Sequence, residues 1–209
     1  EYFKNKYKNI TFLRIDNNEC INAGYYNSVN EFWTKPNHKV ISWDKALYYF
    51  SRIFKNYDNV WLLEDDVFFY DENTIIRIDK KNKNSDLIIK NINPKINKFD
   101  INKWHWAKLD KFKDKKWENL AIHSLVCCIR LSKKYLNCLS NYIHKYKKLQ
   151  FIEILIPTLA IVHKLNIKYE ENLKITYRRK FKNINRFNIY HPFKNLKFQC
   201  FLKSKLKYI

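Results

Sequence analysis

The chain has 209 residues, a formal net charge of +21, and hydrophobic and aromatic contents of 46% and 17%. Such an apolar and aromatic share excludes general disorder, and the length suits one domain with a full core. No apolar run reaches the length of a membrane span, since Ile154 to Val162 is too short and contains Pro157.

Ile10 to Ile15 reads as a strand, ending in the polar loop Asp16-Asn17-Asn18-Glu19. Ser42 to Tyr57 is predicted as a helix. Its apolar residues Trp43, Ala46, Leu47, Phe50, Ile53 and Phe54 recur at helical spacing, Ser42 suits an N-cap and Asp44 a first turn. In residues 59–70, Val60 to Leu63 run straight into Glu64, Asp65 and Asp66, and Val67, Phe68 and Phe69 follow. Such a run predicts a central strand buried on both faces. Glu72 to Lys80 reads as a short helix. Asp79 to Lys103 reads as a polar loop around a short strand at Leu87 to Ile89. Trp104-His105-Trp106 forms an isolated aromatic cluster. Ala121 to Leu131 reads as a second buried strand. Ser132 then caps a helix with Tyr135, Leu136, Leu139, Ile143 and Tyr146 on one face. A helix over Glu153 to Lys164 and strands at Ile167 to Tyr169 and Lys174 to Tyr177 complete the pattern, before a basic, aromatic tail. Strands alternating with amphipathic helices predict an α/β layered domain.

The charge has two readings. One is a polyanionic partner; the other is codon bias, since Lys, Asn, Ile, Tyr and Phe abound while Gly (1) and Pro (4) are scarce. Spread along the chain rather than gathered in one arm, the charge argues against a nucleic-acid partner. The five cysteines have no zinc-type Cys-x-x-Cys spacing, and Cys127 and Cys128 read as buried thiols. They favour a reducing compartment such as the cytoplasm. The chain contains no Met and begins at Glu1, so the expectation is a fragment or processed form. An upstream anchor would point instead to a membrane-anchored or Golgi-lumenal setting. With one glycine, no P-loop or G-x-G-x-x-G is possible.

The three acids carry the chemistry. Side by side at a strand end they repel one another and resist desolvation, which a cation would relieve. Oxygen ligands suit Mg²⁺ or Mn²⁺, and ligands of open α/β sheets bind beyond the carboxyl ends of strands. Extended backbone points Glu64 and Asp66 to one side and Asp65 to the other. The competing reading is an acidic turn facing solvent.

A strand ending in the D-x-D-type triplet Glu64-Asp65-Asp66 resembles the nucleotide-sugar glycosyltransferases of the GT-A fold. Four further segments resemble this group in order. Ser42 to Phe50 resembles the helix before the triplet strand. Ile129 to Leu136 resembles a strand-to-helix step, and Phe151 to Leu159 the segment bearing an acceptor-side acid. Tyr190-His191-Pro192-Phe193-Lys194 resembles a late His segment used at the metal. The resemblance covers roughly residues 10 to 195. It implies a mixed, mainly parallel sheet flanked by helices, in one domain over 1–209, possibly lacking an N-terminal strand. The opening nucleotide-binding unit has only Ile10 to Asn18 to serve it.

The resemblance also implies an activity: a metal-dependent transfer of a sugar from a nucleotide-diphosphate sugar to a hydroxyl of a glycan, protein or lipid. Glu64, Asp66 and His191 are the expected ligands of Mn²⁺ or Mg²⁺, with Asp66 catalytic through the ion. Asp65 is expected at the donor, Lys194 at a phosphate, and Asp44, Asp16 and Asn17 at the nucleoside. Glu153, set among apolar residues, is the expected general base of an inverting displacement; a helix-start Glu is the alternative. Trp104 and Trp106 are expected either to stack on an acceptor sugar or to join the core. His105, His123, His144 and His163 read as structural. A metal-dependent nuclease or nucleotidyltransferase is one alternative function. A catalytically inactive binding module of the same fold is the other.

Overall fold

The computed structural model describes residues 10–29, 40–53, 57–90, 112, 114–177, 181 and 184–205. Its centre is a four-stranded sheet in the order β1 (Asn59–Leu63), β3 (Cys128–Ser132), β2 (Leu87–Lys90), β4 (Ile167–Glu170). Strand β3 runs antiparallel to both β1 and β2, and only β2 and β4 are parallel. The sheet is thus mixed α/β, as expected, but not mainly parallel. Apolar runs report burial and carry no information on direction.

A second correction concerns β1. It lies at an edge of this sheet, with Val60 and Leu62 buried but Leu63 38% exposed, and is not central. The strand expected at Ile10 to Ile15 is also absent; these residues are irregular, and Ile10, Phe12 and Leu13 are exposed. The second buried strand is shorter than expected, because 121–126 is an irregular loop.

Side-chain alternation divides the core into two layers. On one face Leu62, Leu87, Ile89, Ile129 and Leu131 pack with α5 (Lys133–Tyr146) and α6 (Ile152–Val162) through Tyr135, Leu136, Leu139, Ile156 and Leu159. Helix α2 (Ser42–Ile53) joins that layer through Leu47 and Tyr48. On the other face Ile88 and Cys128 meet Ile78 of α3 (Glu72–Lys81) and a two-stranded sheet, β5 (Leu173–Ile175) with β6 (Ile189–His191). Short helices α1 (Asn17–Ala23) and α4 (Lys115–Asn119) and the final α7 (Leu196–Lys205) complete the described elements.

Caps set several boundaries. Ser132 Oγ accepts the Tyr135 N–H at 3.0 Å and starts α5, as expected from the sequence. Asp16 likewise starts α1. The chain's single glycine, Gly24, ends α1 at φ 85°, and a Cβ there would lie 3.0 Å from both Ile143 Cγ2 and the Lys147 carbonyl carbon. Both conformation and space therefore require glycine. Arg130, 1% exposed on β3, is held by Asp79 at 2.8 Å and by the carbonyls of Asn82 and Ser85 at 3.0 and 2.6 Å. A buried guanidinium survives because its charge and most of its donors are matched.

Pro157 lies within α6 and removes the N–H that would bond the Glu153 carbonyl. The Ser124 N–H takes that carbonyl instead, at 2.9 Å. Thr158 Oγ1 accepts the Ile122 N–H at 3.1 Å. A proline in mid-helix thus docks the 122–124 segment onto α6.

Candidate functional site

The register Leu63↔Cys128 sets Glu64 beside Cys127, and the Glu64 N–H bonds the Cys127 carbonyl at 3.0 Å. The chain then turns at Asp65-Asp66. Phe68 and Tyr190 exchange two backbone hydrogen bonds, of 2.9 and 2.8 Å, and the Phe193 N–H bonds the Asp66 carbonyl at 2.8 Å. Phe68 and Phe193 stack at 4.6 Å between ring centroids. This ladder and this aromatic pair bring the late segment onto the acidic turn.

The result is a convergence on one imidazole. His191 Nε2 lies 3.0 Å from Glu64 Oε2 and 2.9 Å from Asp66 Oδ1. His191 is 9% exposed, Asp66 17% and Glu64 34%. Glu64 Oε1 accepts the indole N–H of Trp43 at 3.0 Å. Lys194 Nζ, fully at the surface, lies 3.7 Å from Asp66 Oδ2. Asp65 is exposed and makes no part of this convergence.

The electrostatics match the geometry. Burial pulls the His191 pKa down, but its hydrogen bond to Glu64 and the charges of Asp66 and Glu64 outweigh burial and hold it above the ordinary histidine value. Burial pushes Glu64 up, yet hydrogen bonds from His191 and Trp43 leave it below the usual carboxylate value. One Nε2–H cannot point at two carboxylates at once. Asp66 Oδ1 is accordingly buried without a directed hydrogen bond, despite its close approach to Nε2. A buried anionic oxygen short of a donor is what a cation would satisfy. Ligand atoms of Glu64, Cys127 and His191 also lie within 4.8 Å of one another. Glu64, Cys127 and His191 are thus near enough to one another to hold a metal ion, and Asp66 Oδ1 lies 2.9 Å from the same imidazole nitrogen.

A cleft of about 700 Å³ opens beside the acids, between α2 and β1, with Trp43, Phe50, Trp61 and Leu63 among its walls and Glu64 and Asp65 at one end. Glu153, in the first turn of α6, is 2.8 Å from His123 Nε2. It is close enough to the acids that Cys127 feels both. Burial and the charges of Glu64 and Glu153 push that thiol far above its ordinary value.

No protein-family profile, curated protein or solved structure matches the chain. No helix among the described residues is long and apolar enough to cross a membrane.

The remaining expected site residues lie elsewhere in the fold. Asp44 has no exposed surface, and its two oxygens accept the N–H groups of Ser28 and Ile41 at 3.2 and 2.7 Å. It is a third-position helix acid reaching back to the residue before α2, half of a capping box. Asp16 is committed to its own helix, accepting the Asn18 N–H at 2.7 Å, and Asn17 is exposed on that helix's first turn. Trp104, His105 and Trp106 lie outside the described residues.

Sequence reasoning missed three members of the site. Trp43 read as a core residue, Cys127 as an inert thiol and His123 as structural. A usable signal existed for His123: Pro157, four residues after Glu153, frees the carbonyl that docks the neighbouring Ser124.

Proposed function

We propose that the chain is a metal-dependent glycosyltransferase, moving a sugar from a nucleotide-diphosphate sugar to a hydroxyl acceptor. The observation that carries this reading is the convergence of Glu64 and Asp66 on His191 Nε2, beside an aromatic-walled cleft. Glu64, Asp66 and His191 would hold a divalent ion, which when bound would supply positive charge to a departing diphosphate. Lys194 stands at the rim of the same acids as a mobile cation for a phosphate oxygen. The cleft walls offer aromatic surface to a planar base or the apolar face of a sugar.

Glu153 is the base of the reaction. It takes the proton of the acceptor hydroxyl while that oxygen forms its bond to the anomeric carbon; the carbon–oxygen bond to the diphosphate breaks, and its electron pair leaves with the phosphate. His123 orients the carboxylate, and the proline-docked 122–124 segment holds His123 in place.

A thermal-shift panel of uridine, guanosine and cytidine diphosphate sugars, with and without Mn²⁺, tests the reading. One donor is expected to raise the melting temperature only when metal is present, and Asp66→Ala to remove both that shift and transfer while the chain stays folded. Unchanged metal-dependent transfer by Asp66→Ala, or no response to any nucleotide-sugar, would overturn it.

A further inference from the structure

We propose that Cys127 is a thiolate ligand of the same cation, so that the site selects a transition ion of the Zn²⁺, Fe²⁺ or Co²⁺ kind over Mg²⁺. The inference rests on the metal-site reading above and refines it.

Position is the first argument. Cys127 precedes β3 and is fixed opposite the end of β1 by the Leu63↔Cys128 pairing and the bond from Glu64 N–H to its carbonyl. Its sulfur, a Glu64 oxygen and a His191 ring nitrogen are mutually within 4.8 Å. The carboxylate oxygens approach Nε2 at 2.9 and 3.0 Å. Adjacent ligands of an ion with bonds of about 2.1 Å stand about 3.0 Å apart at right angles, so the nitrogen–oxygen edges already have the required length. A bond of about 2.3 Å from sulfur requires the thiol to close on the other two from within that 4.8 Å limit.

Environment is the second. Cys128, the next residue, is a thiol buried among Ile78, Ile88, Leu173, Ile175 and Ile189. Its surroundings ask nothing of it beyond apolar volume. Cys127 is also buried, though less completely, and lies near Glu64, His191 and the charge of Glu153. Cys127 belongs to that apolar cluster too, but its thiol also makes a hydrogen bond to the Glu64 carboxylate, which ties the sulfur to the acid.

Donor chemistry is the third. Sulfur, imidazole and carboxylate together suit zinc-like ions, whereas Mg²⁺ demands an all-oxygen octahedron. Loading exchanges the Sγ proton, released to water, for a metal–sulfur bond.

The test uses the full chain carrying Cys200→Ser, which removes an exposed thiol, freed of metal and titrated with Co²⁺. A thiolate-to-cobalt charge-transfer band in the near ultraviolet is expected to saturate at one ion per chain and to resist millimolar Mg²⁺. Adding Cys127→Ser should abolish the band and weaken Co²⁺ binding by at least the roughly 10–100-fold that loss of an outer-shell partner causes. Adding Cys138→Ser should leave the band intact. Co²⁺ bound without the band, or a band that survives Cys127→Ser, overturns the thiolate while leaving the Glu64–Asp66–His191 site standing. No Co²⁺ binding at all overturns both. The parent spectrum alone decides the point if Cys127→Ser fails to fold.

Discussion

Raising the pH from 4 to 7 should weaken the fold at Asp44, against the usual behaviour of carboxylates. Asp44 has no exposed surface, and burial pushes its pKa from 3.8 up to about 6 despite the two N–H groups it accepts. Below 3.8 the side chain is protonated in folded and unfolded chains alike. Between 3.8 and about 6 the folded chain keeps a proton that the unfolded chain has released, so stability falls as pH rises. Above about 6 both forms are ionised and the full penalty is present. At about 1.36 kcal/mol per pH unit the gap amounts to about 3 kcal/mol. Other acids titrate in the same range, so the informative quantity is the difference between parent and Asp44→Asn, from urea unfolding at several pH values. That difference should move by about 2.4 kcal/mol between pH 4 and pH 7, because the unfolded carboxyl is already partly ionised at pH 4, with the parent relatively more stable at pH 4. Parallel pH profiles, or a shift in the opposite sense, would refute the buried, proton-retaining carboxylate.

Pro157→Ala restores an N–H that competes with Ser124 for the Glu153 carbonyl. Transfer should drop on the order of tenfold while the melting temperature holds or rises; a drop in stability without loss of rate would contradict the docking role. His123→Gln should lower kcat with little change in donor KM, a split that steady-state kinetics resolves. Arg130→Met strips Asp79 of its guanidinium partner and the Ser85 carbonyl of its arginine donor, leaving the Asn82 carbonyl only the Ser85 N–H, and should cost about 3–5 kcal/mol in urea unfolding. Ser132→Ala removes the cap of α5 and should cost about 1 kcal/mol, measured the same way.

Much of the layering was legible because it follows periodicity. The helical spacing from Trp43 to Phe50, the Ser132 cap and the short run at Leu87 each mark an element that forms. Topology was not legible, since the run Val60 to Leu63 reads alike at the edge and the centre of a sheet. The Ile10 to Ile15 pattern suits a strand, but a strand also needs a ladder partner, which one segment cannot reveal. In the site, the acids stand out because charge at the end of an apolar run demands an explanation, whereas His191 is expected only from the resemblance of Tyr190 to Lys194 to a late His segment. Cys127 and His123 do not stand out, because their roles depend on contacts made across the fold: a cross-strand register for one, a helix-interrupting proline for the other. The segment from β6 onward was missed as structure, although it delivers the imidazole. Its three-residue strand is too short to show a period.

Anomalous diffraction from crystals grown with Mn²⁺ and a nucleoside diphosphate tests the central claim most directly. The predicted result is one peak at about 2.0–2.3 Å from His191 Nε2 and from oxygens of Glu64 and Asp66, with diphosphate oxygens on its open side. A site that keeps its direct imidazole–carboxylate contacts with no ion between them, while the nucleotide binds elsewhere, would contradict it.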